Sequence, residues 1–264
     1  MTARNPAESD NGPFFVGYIN RLPAGLAWFL AAVAAVLVGG MAGAALAIGS
    51  TINDPGDGRF EFGLGRQEVT GVLETSPYPV MRIPANADNP EPRAILLAGQ
   101  GKRGVLPQAE PHSGEVVTLG GVLLKRGTID MIQVSRQIVP LADAESPDPA
   151  LLEYTPAPPE PLGRWRLTGE ICDGKCNQGA MRPGRGLSHK ACANLCLIGG
   201  VPAVFVAEGG IDGEDFFLLA DADGNAPPDL IYDYVALDVT LEGEVERRDD
   251  LLIFKADFST IRAN

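Results

Sequence analysis

Histidine is nearly missing from this sequence, at two in 264 residues. General acid–base chemistry near neutral pH therefore has few candidates. Also missing are a G-x-S-x-G nucleophile elbow, a phosphate-binding glycine loop, an H-E-x-x-H zinc motif and a C-x-x-C-H haem attachment site. Asp and Glu are plentiful, but no catalytic pair stands out. Asp221-Ala222-Asp223-Gly224-Asn225 lacks the rest of an EF-hand loop and reads as a polar turn. Positive charge is scarce: 21 Lys and Arg face 34 Asp and Glu, a formal net charge of -13. Such a chain repels phosphate backbones, which argues against nucleic acid as a partner. The expectation is a non-catalytic protein with no resident cofactor.

One long apolar run is present. Leu26 to Gly49 carries no charge, and about 20 such residues span a bilayer. Trp28 and Phe29 mark the near interface. Residues 23–50 are predicted as a transmembrane helix and 1–22 as a polar cytoplasmic tail. Arg21 before the span, and Asp54 and Asp57 after it, put the N-terminus inside, although Glu8 and Asp10 weaken the bias. The rest of the chain is then periplasmic, on a bacterial inner membrane. A cleaved signal peptide is the rival, with Ala45-Leu46-Ala47 as cleavage site, but the run exceeds a usual signal core. Ala31, Ala35, Gly39, Gly43 and Ala47 form a smooth stripe, suited to an integral membrane partner or a second copy of this helix.

The remainder repeats itself. Arg66-Gln67-Glu68-Val69-Thr70-Gly71-Val72-Leu73 returns as Arg164-Trp165-Arg166-Leu167-Thr168-Gly169-Glu170-Ile171, 98 residues on. Ile95-Leu96-Leu97-Ala98 returns as Phe217-Leu218-Leu219-Ala220, and Val117-Thr118-Leu119-Gly120-Gly121 as Val239-Thr240-Leu241-Glu242-Gly243, both 122 residues on. Ordered blocks of this kind signal a duplication. The first copy offers five strands, at 68–73, 80–83, 94–98, 115–124 and 129–135, rich in β-branched residues and bounded by turn formers. Gly71 and Gly121 interrupt two of them, as bends in a small barrel require. The fold class expected is an all-β soluble region of two tandem OB-fold-like barrels behind one N-terminal transmembrane helix. The barrels cover 58–139 and 163–262, and the proline-rich stretch 140–162 forms an extended linker.

The growth in offset locates an insertion at 172–200. A match of Pro79-Val80-Met81 to Pro202-Ala203-Val204 narrows it. It holds Cys172, Cys176, Cys192 and Cys196, all the cysteines of the chain, together with His189. The pattern C-x3-C…H-x2-C-x3-C resembles a motif of uncharacterised bacterial secreted or membrane-tethered proteins with an OB-fold-like domain. That resemblance implies the fold of the second barrel and no activity. In an oxidising compartment, four cysteines suit two disulfides, such as Cys172–Cys196 with Cys176–Cys192. Alternatively they hold zinc or an iron–sulfur cluster, with His189 as a further ligand or a loop organiser. A redox pair is the third reading, although C-x-x-C is absent. Lys175, Arg182, Arg185 and Lys190 make the loop locally basic, as a thiolate-stabilising shell or a docking patch for an acidic partner. A short helix is expected from Ser188, as N-cap, to Cys196. The function expected is that of an accessory, scaffold or assembly subunit of a membrane complex, with a metal-binding or thiol-redox protein as the alternative.

Overall fold

A computed structural model describes residues 24–264 apart from 53, 55, 88 and 128. The tail 1–22, with Arg21, Glu8 and Asp10, lies outside the described residues. The apolar run forms α1 (Ala24–Gly49). Its 26 residues make about 39 Å of helix, against about 30 Å of bilayer hydrocarbon. A helix this long and apolar fits a membrane anchor or a signal sequence. Its residues Ala31, Ala35, Gly39, Gly43 and Ala47 are exposed, like most of the helix, and follow one another about a turn apart in a stripe that winds slowly round it. Ile52–Asn264 form a separate compact unit.

That unit is mostly strand. Its first part contains β1 (Arg59–Phe60), β2 (Gln67–Glu74), β3 (Val80–Ile83), β4 (Arg93–Ala98), the single-turn α2 (Leu106–Ala109), β5 (Val116–Arg126), β6 (Ile129–Val134) and β7 (Val139–Pro140). After α3 (Pro149–Leu152) come β8 (Glu160–Asp173), α4 (Gly174–Gln178), α5 (Lys190–Ile198), β9 (Ala203–Ile211), β10 (Glu214–Asp221), α6 (Ile231–Tyr234), β11 (Asp238–Arg248) and β12 (Leu251–Ala263). Strands β8 to β12 close into a five-stranded barrel, and β1 to β7 form a second, seven-stranded sheet. The proline-rich stretch is not extended throughout. Its ends belong to β7 and β8, and between them Asp148 caps α3 by accepting a hydrogen bond from Ala150 N at 2.9 Å.

The two sheets share pairings and registers. In the barrel, antiparallel β8–β9, β9–β10, β11–β12 and β8–β11 pairs combine with a parallel β10–β12 pair. In the first sheet, β2–β3, β3–β4, β5–β6 and β2–β5 are antiparallel, and β4–β6 is parallel. Thr70 faces Thr118 and their hydroxyls meet at 2.8 Å; Thr168 faces Thr240 and theirs meet at 2.9 Å. Leu96 pairs with Met131 as Leu218 pairs with Ile253. Gly114 N donates to Leu73 O and Ala236 N to Ile171 O, both residues being left-handed at φ 83° and φ 62°. One sequence match is corrected. Val80 faces Glu74 and Val204 faces Cys172, so Val80 corresponds to Val204 rather than Ala203. A one-residue slip of this kind would exchange the faces of the strand.

Glycine makes the tight curvature possible. A Cβ on Gly71 would strike the Arg82 carbonyl, and one on Gly169 would strike that of Val206. Gly121 and Gly243 approach the carbonyls of Gln133 and Lys255 in the same way.

The alternation of strand side chains assigns the cores. Ile95 and Leu97 of β4 fill the first sheet's interior beside Leu73, Met81, Leu119 and Ile132, with Val105 and Ala109 at the α2 end. Phe217 and Leu219 of β10 do likewise in the barrel, beside Phe205, Phe254 and Ile231. Their other faces meet: Ala94, Leu96 and Ala98 pack in one buried cluster with Phe216, Leu218 and Ala220. Burial on both faces explains why these two segments read as unbroken apolar runs. At the edge of this contact, Arg82 is 2% exposed and bonds Glu74 at 3.0 Å and Asp249 at 3.3 Å.

Candidate metal centre

Residues 75–79 join β2 to β3, whereas residues 174–202 join the equivalent β8 to β9. Asp173 ends β8 and caps α4, accepting from Cys176 N at 2.8 Å. A 3-10 turn, Leu187–His189, leads into α5, which starts at Lys190 with His189 rather than Ser188 in the N-cap position. On α5, Cys192 and Cys196 are one turn apart and share a face. Across from them, α4 supplies Cys176. The sulfurs of Cys176, Cys192 and Cys196 lie within 4.8 Å of one another.

The expected disulfides are not formed: all four cysteines are free. The nested pairing separates physically, because Cys172 turns away from the other three. Its Sγ donates to Gly184 O at 3.3 Å and lies 3.7 Å from His189 Nδ1. His189 Nε2 in turn faces Asp173 Oδ2 at 3.3 Å. Cys172, Asp173 and His189 form a second, fully buried group of candidate ligands.

The first sheet contributes to the thiol cluster. Lys102 Nζ donates to Cys192 Sγ at 2.7 Å and reaches Cys196 Sγ at 3.7 Å. Its loop is locked in place from below: Lys175 Nζ donates to Gly99 O at 2.7 Å and Gly101 O at 2.9 Å. Gly104 N also donates to Gly199 O at 2.7 Å, where a side chain on either glycine would strike the facing backbone. A cavity of about 340 Å³ opens onto Lys102, Cys176, Cys192, Cys196, His189 and Arg182.

Cys176 and Cys196 share a hydrogen bond that raises the pKa of Cys176 and lowers that of Cys196, making Cys196 the first to ionise. Lys102 is held protonated chiefly by its bond to Cys192. Burial pushes Cys172 and Asp173 up and His189 down, which favours the neutral imidazole that metals bind. Among the described residues, eight buried side-chain nitrogen and oxygen atoms lack a hydrogen-bond partner. Seven of them belong to Asp173, Asn177, Gln178, Arg185, His189 and Asn194, all within the insertion. Such atoms are rare in protein interiors.

The basic residues do not form one surface patch. Lys175 is 2% exposed and occupied by the Gly99 and Gly101 carbonyls, so it is removed from any docking surface. Arg185 lies 3.6 Å from Glu170, and Lys190 donates to Asp233 O. Arg182 is exposed at the cavity rim. Sequence reasoning missed Lys102, Asp173 and Glu170. The glycine cluster around Lys102 was a signal for close backbone contact, and Asp173 stands three residues before Cys176 as an N-cap should.

Comparison of the chain with protein-family models, curated proteins and solved structures returned no match.

Proposed function

We propose that this chain is a membrane-tethered accessory or assembly subunit whose cysteine-rich insertion holds a thiophilic metal ion through Cys176, Cys192 and Cys196. The observation that carries this reading is the convergence of three free sulfurs within 4.8 Å. Metal–sulfur bonds of about 2.3 Å at tetrahedral or trigonal angles separate sulfurs by about 3.8–4.0 Å, inside that limit. Three thiolates suit Cu+ or Zn2+. They also leave excess negative charge, which Lys102 offsets from the first sheet. The shared pairings support two tandem OB-like barrels, spanning 58–139 and 163–262, as the scaffold. The α1 helix would tether them on the periplasmic face, its small-residue stripe packing against a membrane partner or a second copy.

A thiol-redox role is the second reading. It is favoured by the Lys102 ammonium on Cys192 and by the lowered pKa of Cys196, conditions that activate a thiol. Titrating the reduced full chain with Co2+ in mild detergent separates the two. The metal reading expects a thiolate charge-transfer band that saturates, with Cys196→Ser weakening binding on the order of 100-fold. No band, with a disulfide forming reversibly instead, would establish the redox reading in its place.

A further inference from the structure

Cys172, Asp173 and His189 stand beside the three thiols and use none of their atoms. The imidazole is clamped between the other two, Nδ1 toward the Cys172 sulfur and Nε2 toward the Asp173 carboxylate. Each of the three is at most 1% exposed. Asp173 Oδ1 is taken by Cys176 N, while Asp173 Oδ2 lies 3.3 Å from His189 Nε2, in ion-pair range but without hydrogen-bond alignment, and neither atom has another partner.

A thiol, an imidazole and a carboxylate in line could be a nucleophilic triad or a metal site. The triad requires a sulfur that substrate can reach. Cys172 is 0% exposed and its sulfur is turned to the Gly184 carbonyl, so that chemistry is closed to it. The metal geometry fits. Sulfur and nitrogen donors about 2.3 and 2.0 Å from one ion stand about 3.7 Å apart when the angle between them is near 120°. The Cys172 Sγ to His189 Nδ1 distance is 3.7 Å. An imidazole that binds metal through one nitrogen is commonly held through the other by a carboxylate, and Asp173 occupies that place. The Gly184 carbonyl, 3.3 Å from the same sulfur, offers an oxygen donor. His189 also lines the cavity of the three thiols, which provides an entry path.

We propose that Cys172 and His189 bind a second metal ion, with Asp173 orienting the imidazole, so that the insertion takes two Cu+ or Zn2+ ions. This site stands or falls independently of the three-thiolate site. The test is an anaerobic titration of the full chain, solubilised in mild detergent, reduced and stripped of metal, with Co2+, Zn2+ and Cu+ in separate runs. Two ions per chain are expected. Cys172→Ser and His189→Gln should each reduce this to one and keep the three-thiolate Co2+ band. The double variant Cys192→Ser, Cys196→Ser should retain one ion and lose that band. In the unsubstituted protein, the ring-nitrogen resonances of His189 should shift with the second equivalent of Zn2+ or Cu+, a readout that needs no variant to fold. Saturation at one ion with the His189 resonances unmoved would overturn the second site while leaving the three-thiolate reading intact. Retention of one ion with shifted His189 resonances, but no three-thiolate band, would do the reverse.

Discussion

The connection from β2 to β3 and the connection from β8 to β9 occupy the same place in two sheets of matching register. The first is five residues, 75–79, and the second is the 29 residues 174–202. The surrounding strands are longer in the barrel but pair alike: the same threonine pair, the same parallel strand pair and the same two glycine approaches recur on both sides. Among the described residues, six of the eight unsatisfied buried polar atoms and three of the four cysteines lie in the longer connection, and Asp173 and Cys172 sit at the end of the strand that leads into it. One sheet thus serves as an internal control for the other. What both share is the strand framework, and what only the second carries is the cysteine-bearing insertion, which the first sheet reaches through Lys102.

The scaffold half of the comparison breaks most severely at the paired glycines. Gly71→Val and Gly169→Val should each abolish cooperative unfolding, because the new side chain meets a strand carbonyl with no room to move. Circular dichroism during thermal denaturation checks this, and a tolerated substitution at only one position would end the equivalence.

Next in size is the attachment of the insertion to the first sheet. Lys175→Met leaves the Gly99 and Gly101 carbonyls without their donor and should cost about 2–3 kcal/mol. The Lys102 loop should loosen with it, so metal affinity should fall even though no ligand has changed. Denaturant unfolding combined with Co2+ titration measures both effects.

A smaller effect concerns Glu170, which stands where the first sheet has Val72. Both carboxylate oxygens accept from Gly186 N, at 3.0 and 3.1 Å, while burial raises the pKa. With the folded value above the unfolded one, the proton-linked stabilisation is full below the ordinary glutamate range and is lost as pH rises through the raised value. Glu170→Gln should therefore gain most on the native protein at neutral pH, and the gap should narrow toward pH 4.5. A gap that does not change with pH would contradict this assignment. The smallest effect is expected at Ala236, left-handed where the first sheet has Gly114. Ala236→Gly should raise stability by less than about 1 kcal/mol, read as a modest increase in melting temperature.

Much of the scaffold was legible in the sequence because the two sheets share strand pairings, so that matching blocks of residues recur in matching registers. The blocks around Thr70 and Thr168, and around Leu96 and Leu218, found their structural counterparts directly. The match at Val80 slipped by one residue because short apolar strands carry little register information of their own. The insertion was also legible, through the offset and the cysteine spacing. Its internal grouping was not. Spacing suggested four equivalent cysteines, whereas Asp173 and His189 draw Cys172 into a separate group and Lys102 arrives from a loop 90 residues before its partner Cys192. Such partners are fixed by the packing of one sheet on the other, which no local pattern encodes.

Metal-edge X-ray absorption of the full chain, purified anaerobically in detergent and loaded with one equivalent of Zn2+ or Cu+, tests the central claim most directly. The account predicts a first shell dominated by three sulfurs at about 2.3 Å, lost in the Cys192→Ser, Cys196→Ser double variant. A shell of oxygen and nitrogen alone, or a chain that binds no metal while its sulfurs are joined in disulfides, would contradict it.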